Sequence, residues 1–250
     1  MNHIISNQQF DEERALYHLT DTRVEHCRFE GPADGESALK ECRSIHVMDC
    51  QFHLRYPFWH DRVLEIRGCE LTPQCRAALW YSSDVAITDT KLHGIKALRE
   101  CEDMKLARCQ ITSPEFGWKC KAVTLTDSSV EAEYLFFDSR DVQLNRVEMK
   151  GKYSFQYVEN LHIEGGTFDT KDAFWHAENV TVYDSIVKGE YLGWYSKNLR
   201  LVRCEISGTQ PLCYCKGLVL EDCEMIDTDL SFERTKAPAA VAVHCAEGDR

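Results

Sequence analysis

Two stretches, ENVTVYDSIVKG at 178–189 and KNLRLVRCEISG at 197–208, decide the fold. They carry one eight-residue phrase, apolar at its first, third and eighth positions and small at its sixth. Working outward, the phrase recurs with first positions Thr22, Ile45, Leu64, Val85, Met104, Val123, Val142, Leu161, Val180, Leu199 and Leu218. From Val85 onward the step is constant, as these numbers show; before it the spacing is irregular. Alternation with period two marks a strand. The break between third and sixth positions marks a bend, where Asp49, Gly68, Asp89, Asp127, Gly165, Asp184 and Asp222 stand. Asp and Gly tolerate the left-handed backbone that a bend needs.

A further strand precedes each phrase, as in PFWHD (57–61), ALWYS (78–82), AFWHA (173–177) and LGWYS (192–196). Three short strands in a coil of about 19 residues describe a β-solenoid. The spacing predicts one all-β domain over 1–250, a right-handed parallel β-helix of about eleven coils. Residues 15–231 form the coils, 1–14 an N-terminal cap and 232–250 a C-terminal cap or tail. Ten of the 13 cysteines fall in two small columns of the repeat, the sixth phrase position and the last position of the preceding strand. There they read as small core residues, stacked as Cys27-Cys50-Cys69 and Cys204-Cys223 and free of disulfides.

The longer strings RYPFWHD (55–61), CRAALWYS (75–82), LHGIKALRECE (92–102), GKYSFQYVEN (151–160) and GTQPLCYCKG (208–217) resemble a bacterial family catalogued as domain of unknown function 3737. The coil phrases are similar to those of the pectin-lyase-like right-handed β-helix superfamily. The resemblance covers essentially residues 10–235 and implies the fold, with no activity to carry over. The connections are uniformly short, unlike the long loops of the pectin-degrading enzymes.

The formal net charge of −12 argues against nucleic acid, which needs a basic face. No apolar run approaches a membrane span. The start, MNHIISNQQFDEER, lacks the apolar core of a signal peptide, so a cytoplasmic protein is expected. No residue set calls for a cofactor or a metal.

The preceding strand carries the functional reading. Its second position holds Leu, Phe or Gly and faces in. Its third reads Tyr17, Lys40, Trp59, Trp80, Arg99, Trp118, Phe137, Gln156, Trp175, Trp194, Cys213, and its fourth is polar. Lys40, Arg99 and Gln156 do not suit a narrow core, so this column is expected to face out. It holds all five tryptophans. Trp59, His60, Trp80 and Tyr81 are expected to form one ligand subsite, with Trp59 over Trp80. Trp175, His176, Trp194 and Tyr195 form its copy six coils on, with Trp175 over Trp194. Trp118 and Phe137, beside Lys119 and Asp138, form a charged variant.

Two functions compete for this face. One is binding, with processing as an extension, of an extended carbohydrate or similar ligand by ring stacking. The other is a protein interface, homo-oligomeric or covered by the AVAVHC tail near 239–245. Whether the chain is an enzyme stays open. The catalytic candidates are Asp61, a charge in the small inward column to be paired by Arg62 or His60, and the carboxylates Glu100 and Asp138. The latter two flank Lys119 in a charge ladder.

Overall fold

The computed structural model describes residues 3–31 and 36–236, and the backbone of 243–245. The chain falls into two compact units, 1–129 and 130–250. Each is built from coils of a right-handed parallel β-helix. No helix among the described residues is long and apolar enough to cross a membrane.

In the first unit, strands such as Ser83–Thr88 pair in parallel with Arg62–Arg67 before and Glu102–Ala107 after, Val85 facing Leu64 and Met104. In the second, Glu178–Tyr183 pairs likewise with Glu159–Glu164 and Lys197–Val202. The phrase positions are therefore in register, and the apolar columns interlock. Val24, Ile45, Val47, Ile66, Ile87, Val182 and Leu201 are all buried.

The repeat continues past both ends of the phrase. His3–Ser6 pairs with Thr20–Glu25, and Gln9–Phe10 pairs with Arg28–Glu30, so residues 3–10 lie on the first coil as another rung. At the other end, residues 230–236 repeat the corner before them, with Leu212 N–H bonded to Ser231 O and Tyr214 N–H to Glu233 O. Val243–Cys245 then pairs with Cys223–Asp229. That part of the tail extends the sheet; residues 239–242 of the expected cover lie outside the described residues.

The third side departs from expectation. In the first unit it is a ladder of two-residue strands, Leu39–Lys40, Phe58–Trp59, Leu79–Trp80 and Leu98–Arg99. In the second unit the equivalent residues form tight turns. Phe155, Phe174 and Gly193 accept hydrogen bonds from the N–H groups of Val158, Ala177 and Ser196, three residues on. Phe155 and Phe174 themselves adopt φ of 62° and 57°. The strand before these turns is longer here, Arg140–Ser154 for example, and leaves only a short segment to close the coil.

Every coil bends where the backbone turns left-handed. The fourth position does so throughout, from His18 at 61° through Glu100 at 51° to Tyr214 at 60°. So do the bend residues Asp49, Asp89 and Asp184, and the residue before each phrase, such as Asn160, Asn179 and Asn198. A left-handed residue turns the chain sharply and leaves the next N–H without a ladder carbonyl. The small columns supply the missing acceptor. Cys27 N–H donates to Cys50 Sγ (3.3 Å), Cys50 N–H to Cys69 Sγ (3.4 Å) and Cys69 N–H to Thr90 Oγ1 (3.3 Å). Cys109 N–H donates to Ser128 Oγ and Gly166 N–H to Ser185 Oγ, both at 3.0 Å. Each acceptor in turn donates to the carbonyl two residues before it, as Ser185 does to Tyr183. Twelve of the cysteines, Cys245 apart, are buried and outside any disulfide.

Candidate functional site

The third-position column faces out, but as a half-buried seam. In the first unit its side chains stack into one file. Lys40 Nζ sits 4.3 Å from the Trp59 ring centroid. Trp59 and Trp80 stack at 5.7 Å and 13°. The Arg99 guanidinium follows, 5.2 Å from Trp80 and 6.0 Å from Trp118. Cation–π contact and ring stacking thus use both faces of Trp80. The fourth position runs beside this file: Trp59 lies 5.9 Å from His60, and Trp80 5.3 Å from Tyr81. Tyr56, which sequence reasoning missed, packs on both Trp59 and Trp80.

The second unit is arranged differently. Among the described residues, no ring contact joins Trp175 to Trp194, contrary to the expected copy. Trp194 is held elsewhere: its Nε1 donates to Gln210 O at 2.8 Å, and its ring meets Tyr191 and Tyr214. The stack has moved to the fourth position. Tyr157 stacks on His176 (5.2 Å, 2°), His176 on Tyr195 (5.1 Å, 14°) and Tyr195 on Tyr214 (5.0 Å, 26°). Turns rather than strands carry these residues, and the turn aims the fourth side chain along the file. Trp175 touches this row through Tyr157 and His176, and its buried Nε1 has no hydrogen-bond partner.

Two members expected outside are inside. Gln156 is 4% exposed, between coils that carry Phe137 and Trp175. Cys213 is fully buried, its Sγ donating to Leu230 O, because the corner at 230–236 covers it. Trp118 belongs to the first unit and Phe137 to the second; Phe137 meets Tyr157 edge-on at 5.5 Å.

Of the acidic candidates, Asp61 is fully buried and pairs with neither Arg62 nor His60. It does the work of a small-column residue. Its Oδ1 accepts Cys42 N–H at 2.7 Å, its own N–H donates to Ser82 Oγ, and Oδ2 has no partner. Burial drives its pKa well above the usual carboxylate range, against the pull of the Cys42 N–H. A buried neutral acid is closed to any ligand on the surface.

Glu100 pairs with Arg99 of its own coil at 3.0 Å rather than with Lys119. Burial raises its pKa, but Arg99, aided by Tyr81 and Trp80, more than offsets this and holds it below the usual range. Trp80 Nε1 leans towards this carboxylate without reaching an aligned hydrogen bond. Such a group is a weak proton donor near neutral pH. Asp138 is exposed at a left-handed turn, its N–H bonded to Gln156 O.

Burial holds several of the thiols in the neutral form, although a neighbouring cysteine lowers Cys69 and Cys223. Burial pushes Cys42 and Cys75 up to about 12, and Cys109 and Cys215 up to about 11. No group of three or more His, Cys, Asp or Glu among the described residues is placed to hold a metal.

Sequence reasoning also passed over a cluster on the first-strand face of the second unit. His162 lies 5.5 Å from Tyr183, and Arg200 and Arg203 approach the Tyr183 ring at 6.0 and 5.9 Å. Both arginines are spent on bidentate pairs, Arg200 with Glu221 and Arg203 with Asp184. The signal was outward polar residues at the second, fourth and fifth phrase positions, which look like any solvated strand face.

Several solved structures are similar over most of their length. They include the mannuronan C-5 epimerase AlgE6 A-module of Azotobacter vinelandii, with 8% identity, TM-score 0.47, and 99% of this chain and 90% of that one covered. Another is DFA-IIIase of Arthrobacter chlorophenolicus A6, solved with GF2, with 11% identity, TM-score 0.44 and coverage of 93% and 82%. A third is PfbA, a surface adhesin of Streptococcus pneumoniae, with 8% identity, TM-score 0.42 and coverage of 92% and 73%. Likeness at this level says nothing about activity. No curated protein matches the sequence. The family model described as protein of unknown function (DUF3737) matches residues 3–247, and the chain belongs to that family.

Proposed function

We propose that this is a glycan-binding β-helix protein, and that its second unit carries the binding face. The observation behind the reading is the row Tyr157, His176, Tyr195 and Tyr214, spaced 5.0–5.2 Å apart, with Tyr157 and Tyr195 each 42% exposed. The ring faces are turned to one another, so the edges carry the hydroxyls and ring nitrogens to the surface. A rigid row of polar-edged rings repeating coil by coil suits a ligand that is itself a repeat of polar rings. Trp175, which touches the row through Tyr157 and His176 and is not stacked on another indole, is the natural platform beside it. The first unit fits this role less well, because charged side chains, Lys40 and Arg99 on the third position and Glu41 and Glu100 on the fourth, interrupt its rings.

A glycan array, followed by fluorescence titration with the oligosaccharides it selects, tests the proposal. Trp175→Ala and Tyr195→Ala should each weaken binding, by roughly 1–3 kcal/mol where a ring is stacked. Trp59→Ala should leave binding near the parent value. Binding that survives both second-unit substitutions, or an array without hits, would count against a glycan at this face.

A further inference from the structure

The first unit's aromatic file has a chemical order that the glycan reading does not use. On the third position it runs Lys40, Trp59, Trp80, Arg99, Trp118, and on the adjoining fourth position Glu41, His60, Tyr81, Glu100, Lys119. On every one of these coils the two neighbours are complementary: cation with acid, indole with imidazole, indole with phenol, cation with acid, indole with cation. The two positions lie side by side at the surface, 5.3–5.9 Å apart where both are rings. Tyr81 is 43% exposed, and Glu41, His60 and Lys119 are exposed. Lys40 has no ion-pair partner among the described residues. Its ammonium lies over the Trp59 ring.

We infer that this face is a self-complementary interface and that its occupant is a second copy of this chain. The two copies are related by a two-fold axis parallel to the stacking direction, lying between the two columns. That operation sets each third position against the partner copy's fourth position on the same coil. Lys40 then faces Glu41, Arg99 faces Glu100, Trp59 and Trp80 face His60 and Tyr81, and Trp118 faces Lys119. An interface of this kind is isologous, with every contact made twice. A two-fold running along the strands sets third positions against third positions. Centred on the Trp59–Trp80 pair, it would oppose Lys40 to Arg99 and Glu41 to Glu100. Charge disfavours that register. Centred instead on the Trp80 coil, the same operation would oppose Glu41 to Lys119 and Lys40 to Trp118. Mixing charge-reversed chains separates the two arrangements, because only the parallel one is restored in the mixture. Dimerisation would also cover an aromatic stripe that is otherwise left in water. The inference uses the first unit only, so it stands or falls apart from the glycan proposal.

The experiment is sedimentation of the full chain across micromolar concentrations, with a charge-exchange pair. Lys40→Glu puts two acids against each other twice in the dimer, and Glu41→Lys puts two cations. Both positions are on the surface, and Lys119 already occupies the left-handed backbone that Glu41 has. Each variant alone should associate about tenfold or more weakly than the parent. An equimolar mixture of the two should recover association, because the acid introduced at position 40 of one chain then faces the amine introduced at position 41 of the other. Circular dichroism checks that both are folded. Recovery in the mixture, with weakening of each alone, establishes the parallel two-fold. A parent that stays monomeric, a Lys40→Glu variant that dimerises more tightly, or a mixture no better than its components overturns it.

Discussion

At the residue scale, the unusual cysteine content is a solution to a hydrogen-bonding problem. The sequence identifies the small columns, and it explains them by size. Size does not distinguish Cys, Ser and Thr from Ala, whereas the need to accept an N–H after a left-handed bend does. The signal was present: the sixth position holds Cys, Thr or Ser in nine of eleven coils, and never Ala. Cys50→Ser should therefore be tolerated, while Cys50→Val should cost about 1–3 kcal/mol, because the buried Cys27 N–H loses its acceptor. Urea unfolding compares them directly. Asp61 is the same device made titratable. Its carboxyl stays protonated in the folded chain at pH values where the unfolded chain has released the proton. The unfolded state therefore gains as pH rises, and stability conferred at acid pH is lost between the ordinary carboxylate range and the raised folded value. Asp61→Asn keeps the Oδ1 acceptor for Cys42 and removes the titration. It should match the parent near pH 4 and exceed it at pH 7–8, and an unchanged slope of stability against pH would contradict this. Val63 is the opposite case. It is β-branched, 49% exposed and at φ 56°, where other coils use Asp, Asn, Ser, Gly or, once, Ala. Val63→Asn should raise stability by about 1 kcal/mol in the same assay.

At the element scale, the third side shows where reading from sequence reached its limit. Alternation placed the second position inside and the tryptophans outside, and Leu39, Phe58, Leu79, Phe155 and Phe174 are indeed buried. Where the second position is glycine the residue before it is large, as Leu192 is before Gly193, and that compensation is legible in the sequence too. A Cβ on Gly193 would come within 3.0–3.1 Å of Leu199, Leu212 and Cys215. What could not be read was whether such a short segment runs as a strand or closes as a turn, because both conformations put the second residue inside. They differ in where the third and fourth side chains point, and that difference decides which rings stack. Near-identical strings, Trp59-His60 with Trp80-Tyr81 and Trp175-His176 with Trp194-Tyr195, therefore give a tryptophan file in one unit and a tyrosine–histidine file in the other. Coupled indoles at 5.7 Å produce an exciton band in circular dichroism, and separate indoles do not. Trp59→Phe and Trp80→Phe should each abolish the same band, and Trp175→Phe should leave it. A band that responds to Trp175 instead would mean that the two units had been assigned the wrong stacks.

At the scale of the whole molecule, repetition made the fold legible and the ends obscure. A constant period is strong evidence where the phrase recurs, and it weakens where terminal coils abandon the apolar code. Residues 3–10 keep the spacing, with Ile5 opposite Val24 and Phe10 stacked on Phe29 at 5.0 Å, but they are half-exposed and polar between. Residues 230–236 keep the corner, with Thr235 Oγ1 accepting Cys215 N–H as any small-column residue would. Here Phe232 occupies the inward column yet is 46% exposed, where its counterpart Leu212 is 1%. The last coil thus presents an apolar end and a strand edge, Cys223–Asp229, on which Val243–Cys245 pairs. An uncovered parallel edge with an apolar end recruits other chains. Removing residues 237–250 should leave the earlier coils folded, because each coil rests chiefly on its neighbours. It should nevertheless lower the melting temperature and turn the protein towards concentration-dependent association. Phe232→Asp in the shortened chain should suppress that association by charging the open end. This separates end-to-end association from any pairing through the tryptophan face, which Lys40→Glu disrupts and Phe232→Asp does not. A shortened chain that melts and sediments like the full one would show that the terminal rung adds nothing to the stack.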